Sequence, residues 1–502
     1  MAVVISESVL NVIKRIMKKD RRSGDTPIIF FNTLSGTKEP FKSITKGEVL
    51  IYTCGPTVYN YAHIGNLRSY IFSDIIHRLL EYNGLNVRHV INITDMGHLV
   101  SDADEGEDKM TKALKREGKP LSLASMKELG DFYTREFKKE LKLLNIKSPS
   151  KMPKASEHVS EQIAYIKTLE EKGYTYATGD GIYFDTSKFG AYGALGNQGR
   201  KQNDQEKEYS RIGVNVEKRN SRDFALWKFN KKMGWESPFG MGFPGWHIEC
   251  TAMSTRYLGK SFDIHTGGID HIHIHHNNEI AQTEAATGKK FVNFWMHNSF
   301  ITIEGKKVSK SFKNEILLRN IIDRGFSPLA YRYWLLTAHY RSSINFTWEA
   351  LEGAQTALFR LHRHFVEKLR TTKRGTVLDS YQKRFLAFLN DDLDTPQALT
   401  LLFELMRDGG VSKQDARTTF LDFDRVLGLG FTETNKRLVE NLSGKIRLTV
   451  DEAPEDVKKL LAKRDNARKS KNWQRADELR EEIHRRGYNI EDSGEEAHLV
   501  KK

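Results

Sequence analysis

Cysteine is almost missing from this chain: 502 residues carry two, Cys54 and Cys250. Two thiols cannot build the disulfide framework of a secreted scaffold, and such sparing use points to a reducing, cytoplasmic compartment. Long hydrophobic runs are missing too. No stretch approaches the ~20 apolar residues that a membrane-crossing helix requires, so a membrane is excluded as a partner. Acidic side chains are in deficit, 65 Asp and Glu against 79 Lys and Arg, and the resulting charge of +14 suits a polyanion such as nucleic acid. Internal repeats and low-complexity tracts are absent as well.

What is present is ample for folding. Hydrophobic residues make up 39% and aromatics 10% of a chain too long for one core, so roughly three or four domains are expected. The opening segment is no secretory signal, because Glu7, Asn11 and Lys14 break its apolar positions. Val9, Val12, Ile13 and Ile16 recur at helical spacing ahead of a basic run, which reads as a basic helical extension over residues 1–26; an organelle-targeting segment is the alternative.

Between residues 49 and 95 the hydrophobic period changes twice. VLIYTCG reads as a buried strand, Ile71, Phe72, Ile75, Ile76, Leu79 and Leu80 as one stripe of a helix ending at Asn83-Gly84, and NVRHVINITD as a second strand. Such a βαβ unit implies a parallel sheet, with ligands at the carboxyl ends of its strands. The joining turn, CGPTVYNYAHIGN, places His63 and Gly65 where a helix N-terminus can receive phosphate. Farther on, GKKVSKS spaces Lys307 and Lys310 three apart after a glycine, a cationic loop able to clamp a triphosphate. Alone, either stretch reads as an ordinary turn or a solvated basic loop.

Both cysteines fall at telling places. Cys54 closes the first strand, and Cys250 lies in FPGWHIEC, read as a glycine-bounded strand. After it, DIHTGGIDHIHIHHNNEIAQTEAA carries five histidines, and His275 and Glu279 stand four apart where helical spacing begins. Side chains at that spacing leave one helix face, as ligands of one ion must. Two thiolates, an imidazole and a carboxylate suit zinc; His271, His273 and His276 are rivals on composition alone.

HIGN and KVSKS, in that order and roughly 240 residues apart, resemble the HIGH and KMSKS signatures of class I aminoacyl-tRNA synthetases. With Cys54, Cys250, His275 and Glu279 on zinc-ligand positions, the chain resembles the cysteinyl-tRNA synthetases from about residue 27 almost to its end. The resemblance implies an α/β fold: a Rossmann-type catalytic domain with a parallel sheet, interrupted by an insertion and followed by an α-helical bundle and a small C-terminal module. It implies ATP-dependent activation of cysteine, transfer to the 3′ end of tRNA(Cys), one Zn2+ reading the substrate thiol, Mg2+ with ATP, and a monomer. His63, Lys307 and Lys310 would be catalytic; Pro56, Thr57, His63, Gly65, Asn66 and Lys310 would bind ATP. Thr94, Trp246, His265 and Asp270 would line the cysteine pocket with Cys54. Asn66 departs from the signature's second histidine and can offer phosphate an uncharged hydrogen bond only. Selection of the thiol by a metal would remove the need for an editing site, and no separate hydrolytic triad stands out.

The organisation expected is catalytic halves at 27–150 and 246–300, an insertion at 151–245, a KVSKS region at 301–350, a helical bundle at 351–440 and an anticodon-binding module at 441–502. Lys218, Arg219 and Trp227 in the insertion are candidate contacts for the tRNA acceptor end. The tail, KRDNARKSKNWQRADELREEIHRRGYNIED, reads as a surface helix laced with ion pairs; by resemblance Arg468, Trp473, Asp477 and Asp492 would meet the anticodon. Two other functions compete: a ligase joining cysteine to an amino sugar, which would not need that tail, and a non-catalytic RNA-binding paralogue, favoured only by Asn66.

Overall fold

The computed structural model describes residues 26–96, 109–196, 217–307, 315–434, 438–439, 446–448, 453–470, 472–493 and 496–501. The extension up to residue 25, and Lys310, fall outside the described residues.

A hairpin of β1 (Ile29–Asn32) and β2 (Thr37–Pro40) precedes β3 (Glu48–Thr53), helix α1 (Ile64–Tyr82) and β4 (Asn86–Ile91). β3 and β4 pair in parallel, as the βαβ reading requires. The turn after α1 is taken by Gly84 at φ +82°, a conformation glycine adopts freely. Two helices follow, α2 (Lys109–Arg116) and α3 (Leu123–Leu143).

The insertion holds α4 (Val159–Glu171) and an antiparallel sheet of β5 (Thr175–Thr178), β6 (Gly181–Phe184), β7 (Phe224–Phe229) and β8 (Gly242–Pro244). β5 and β6 pair as an antiparallel hairpin across the YATGDGIYF stretch. Trp227 on β7 is fully buried and donates from Nε1 to the carbonyl of Gly240, so it belongs to the core of the insertion and not to an RNA-facing surface.

The parallel sheet resumes after α5 (Trp246–Leu258) with β9 (Phe262–Gly268), α6 (His275–Thr287) and β10 (Val292–Asn298), in strand order β10-β9-β3-β4, all parallel. FPGWHIEC is therefore mostly helical, not a strand. Both faces of the sheet are covered. Val49, Ile51, Ile264 and Met296 pack with the apolar side of α1, while Tyr52, Val90, Phe262 and Trp295 pack with Cys250, Leu258 and Ile280 of α5 and α6. Chain order runs outward in both directions from the β3/β9 pair, so the crevice at their carboxyl ends is the switch point where such sheets bind ligands.

β11 (Ile301–Ile303) and β12 (Lys306–Lys307) form the hairpin leading into KVSKS; then come α7 (Leu318–Asp323), α8 (Pro328–Leu336) and β13 (Ile344–Phe346), which pairs in parallel with β11. The bundle is built from α9 (Trp348–His364), α10 (Asp379–Asn390), α11 (Thr395–Arg407) and α12 (Lys413–Leu427). Arg332 ties it to the parallel-sheet unit: fully buried, it donates to Asp74 Oδ2 of α1 at 2.6 Å and to the carbonyl of Leu427 at 2.8 Å.

The tail is more than one helix. α13 (Glu455–Lys469) and α14 (Trp473–Arg485) pack together beside an antiparallel sheet of β14 (Ile446–Leu448), β15 (Tyr488–Ser493) and β16 (Glu496–Lys501). Val457, Leu461, Leu479, Ile483, Ile490 and Leu499 make its small core. Among the described residues no helix is long and apolar enough to cross a membrane.

Candidate active site and metal centre

A cavity of about 490 Å³ opens at the β3/β9 switch point. Its floor begins at Cys54 and Gly55, just past β3. A Cβ on Gly55 would lie 1.5 Å from the carbonyl oxygen of Asn92, so only glycine lets the two strand ends approach this closely. Of the expected ATP-binding set, Pro56, Thr57, His63, Gly65 and Asn66 line the cavity, while Lys310 lies outside the described residues.

His63 caps α1. Its Nδ1 accepts the backbone N–H of Asn66 at 3.2 Å, and Asn66 Oδ1 accepts the backbone N–H of His63 at 3.3 Å, a reciprocal capping box. An imidazole accepting at Nδ1 carries its proton on Nε2. Asn66 thus has a structural task at the position of the signature's second histidine. The opposite wall is Asn298, Ser299 and Phe300, and Arg68 fixes it by donating to the carbonyls of Phe300 (2.6 Å), Tyr340 (3.0 Å) and Ser342 (2.6 Å). Lys307 ends β12 on the hairpin beyond that wall.

The four expected zinc ligands come together from three elements. Cys54 Sγ lies 4.0 Å from Cys250 Sγ and 3.6 Å from Glu279 Oε1, and His275 Nε2 lies 3.1 Å from the same oxygen. Metal–ligand bonds of about 2.0–2.3 Å in a tetrahedron demand ligand separations of roughly 3.3–3.8 Å, so the quartet fits a zinc ion with small adjustments. The set is buried: none of the four is more than 6% exposed. Outer partners are also in place, His265 Nε2 on Glu279 Oε2 at 3.0 Å and His247 Nδ1 against His275 Nδ1 at 2.9 Å. Hydrogen bonds from Cys54 and then His275 draw the Cys250 thiol down to about 6, against its burial. Burial opposes ionisation of Glu279, yet His265 and His275 hold its carboxyl well below the usual range. Burial pushes the Cys54 thiol up. Of the rival histidines, His273 is exposed and His271 lines the cavity outside the cluster. His276 does compete: with Cys54, His265 and Glu279 it makes a second compact quartet, its Nε2 3.4 Å from Cys54 Sγ. The second set shares two ligands with the first, so one ion excludes the other.

The cysteine-pocket set divides. Trp246 and Asp270 line the cavity, with the Trp246 ring 4.4 Å from that of His275. Thr94 and His265 lie behind the wall, fully buried: Thr94 donates to Glu249 Oε2 at 2.7 Å, and burial raises the Glu249 carboxyl well above its usual range. Sequence reasoning missed Lys109 at the start of α2, whose ammonium stands 5.5 Å over the Trp246 ring and which is the one lysine or arginine among the described lining residues.

Of the RNA candidates, Arg468 is exposed near the end of α13, and Trp473 (59% exposed) and Asp477 lie one turn apart on α14; Asp492 is on β15. In the insertion, Arg219 pairs with Asp185 at 3.2 Å and stacks on Tyr176, and Lys218 sits over Tyr183, so both brace the local sheet.

Residues 40–356 match the family described as tRNA synthetases class I (C) catalytic domain, and residues 450–498 match the cysteinyl-tRNA ligase anticodon binding domain. The chain is 46% identical over 479 residues to a cysteine–tRNA ligase 1 of Burkholderia lata, covering 94% of this chain and 97% of that one. It is 41% identical over 489 residues to a cysteine–tRNA ligase of Treponema denticola, covering 92% and 97%. Among solved structures, the methionyl-tRNA synthetase of Mycobacterium tuberculosis in complex with methionyl-adenylate shares the fold, with a TM-score of 0.52 at 14% identity, covering 81% of this chain and 94% of that one.

Proposed function

The chain belongs to the cysteine–tRNA ligases, a family of class I aminoacyl-tRNA synthetases, and from that premise we propose how its residues divide the work. The protein is a ligase that activates cysteine with ATP, releasing pyrophosphate, and joins the amino acid to tRNA as an ester. The acceptor is tRNA rather than an amino sugar, in keeping with the anticodon-binding match over 450–498. The compartment proposed is the cytoplasm and the assembly state a monomer, both on family grounds.

ATP, accompanied by Mg2+, lies over the HIGN turn, with Pro56, Thr57, Gly65 and Asn66 beneath it and His63 donating to a phosphate oxygen. Cysteine enters with its thiol toward Cys54, Cys250, His275 and Glu279, which would hold zinc. That ion would supply a ligand position a thiolate fills well and a neutral alcohol fills poorly, separating cysteine from serine. Thr94 and His265 support this pocket from behind the wall, bonded to Glu249 and Glu279. The exposed carboxylate of Asp270 suits the substrate ammonium, and Lys109 over Trp246 suits its carboxylate. That carboxylate attacks the α-phosphorus in line, while Lys307 and Lys310 meet the charge that develops. The terminal ribose of tRNA then attacks the adenylate carbonyl. No protein nucleophile is required, and catalysis is positioning and electrostatics. At the far end Arg468, Trp473, Asp477 and Asp492 contact the anticodon, the tryptophan as a stacking surface.

The observation that carries this reading is the cluster of two thiols, an imidazole and a carboxylate that reaches the cavity through Cys54, with the HIGN turn lining the same cavity. Cysteine-dependent ATP–pyrophosphate exchange, with serine in parallel, before and after zinc removal, tests it. Exchange with cysteine alone, lost with the metal, is expected; no exchange by folded, zinc-loaded protein would refute it and leave the non-catalytic paralogue as the alternative.

A further inference from the structure

Beside the cavity mouth the surface carries an aromatic step for which cysteine activation has no use. Tyr61, on the loop leading into the HIGN turn, lines the cavity. Against its edge stand Phe132 and Tyr133 of α3, with ring centroids 6.3 and 5.3 Å away and planes near perpendicular. Phe132 is 40% exposed, so its ring is partly open to solvent beside the other two aromatics. Cations frame the step on two sides. The Arg319 guanidinium of α7 lies 4.5 Å from the Tyr61 ring centroid, and Arg116 of α2 donates to the carbonyl of Tyr59 at 3.1 Å and to the Tyr133 hydroxyl at 3.2 Å.

Exposed aromatic rings beside guanidinium groups are the chemistry that holds single-stranded nucleic acid, the rings by stacking on bases and the cations by meeting phosphates. Because Tyr61 belongs to both the step and the cavity wall, whatever lies on the step continues into the reaction chamber. Cysteine and ATP are small enough to stay inside; the tRNA is the substrate that must run outward from it. We propose that Phe132, Tyr61 and Arg319 form a stacking platform for the unpaired 3′ end of tRNA, holding a base at the mouth while the terminal ribose reaches in. The inference rests on the ligase reading and adds a substrate-positioning surface to it.

The test uses the full-length, zinc-loaded protein with Phe132→Ala and Phe132→Trp variants, comparing cysteine-dependent pyrophosphate exchange with single-turnover transfer from preformed adenylate to tRNA. Phe132→Ala should exchange like wild type but transfer about tenfold more slowly, and Phe132→Trp, which keeps a stacking face, should transfer normally. In Arg319→Gln the dependence of tRNA binding on salt should flatten by about one phosphate contact. Transfer indifferent to Phe132→Ala overturns the platform while exchange by the wild type leaves the ligase reading standing. A raised KM for ATP in exchange also overturns it, because the rings would then serve the adenine of ATP. A wild-type protein that does not exchange overturns both.

Discussion

Gly65 lies directly beneath the imidazole of His63: a Cβ at position 65 would come 2.9 Å from His63 Cε1 and 3.0 Å from Nδ1. The glycine of HIGN therefore makes room for the ring of its own signature. Gly65→Ala should push the imidazole off its cap and out of register with phosphate. Because a misplacement near 1 Å can cost ~100-fold in rate, kcat for cysteine-dependent exchange is expected to fall about 10- to 100-fold. Thermal unfolding should shift by no more than the loss of one cap, about 0.5–2 kcal/mol, which distinguishes a displaced ring from a collapsed turn.

Asn66 closes the capping box from the other side, so its removal has a cost in both stability and rate. Asn66→Ala loses the acceptor for the His63 N–H, and loss of one such cap is worth about 0.5–2 kcal/mol. Urea unfolding should show that loss together with slower exchange. Asn66→His restores the signature and should exchange at least as well as the wild type; a large fall would mean that the amide itself meets substrate.

The legible parts were those with a strong period or a spaced motif. Strand, helix and strand around HIGN follow from a shift between two- and 3.6-residue periods, and the four-residue step from His275 to Glu279 put two ligands on one helix face. The segment holding Cys250 was misread because Pro244 and Gly245 look like a turn. Helix α5 is also buried on nearly every side, from His247 through Ser254, so it shows no apolar stripe. Trp227 beside basic residues suggested a surface, yet FALWKF is buried continuously from Phe224 to Trp227 in the insertion's core. Lys109 sits in a charged stretch far from every motif, and only the packing of α2 beside Trp246 brings it to the cavity. The short strand β13 is three residues long between two helices, and β15 and β16 follow directly on the helix-forming run of α14.

Stability should fall in mild acid for a reason remote from the active site. Burial holds His362 down to about 4, with Nε2 donating to the carbonyl of Leu429 at 3.0 Å and Nδ1 2.6 Å from Thr434 Oγ1. His89, also buried, is pushed down to about 3. Their folded pKa values lie below the ordinary ~6.5 of the unfolded chain, so in that window the unfolded state binds more protons and stability rises with pH. Stability is then full above about pH 6.5 and is lost progressively as pH falls toward 4. Urea midpoints at pH 7.5 and 5 should show a drop, and His362→Gln should reduce that drop even though it lowers both midpoints. Equal pH dependence in the variant would exclude His362 as a source.

The two overlapping ligand quartets make different demands, and metal content decides between them. If zinc sits with Cys54, Cys250, His275 and Glu279, then Cys250→Ala and His275→Ala each remove a ligand, and zinc per chain should fall from one toward zero after dialysis against a mild chelator. His276→Asn would in that case remove an outer group only, and losses of that kind are about 10- to 100-fold in affinity, so the variant should keep its metal at micromolar free zinc. The opposite ranking, metal retained by His275→Ala and lost by His276→Asn, would move the ion to the quartet of Cys54, His265, His276 and Glu279. The geometry favours the first outcome. Glu279 offers Oε1 to Cys54 and His275 while His265 holds Oε2. An ion in the first quartet therefore leaves every outer hydrogen bond intact, whereas the second forces His265 to give up Glu279 as an orienting partner and take the metal instead.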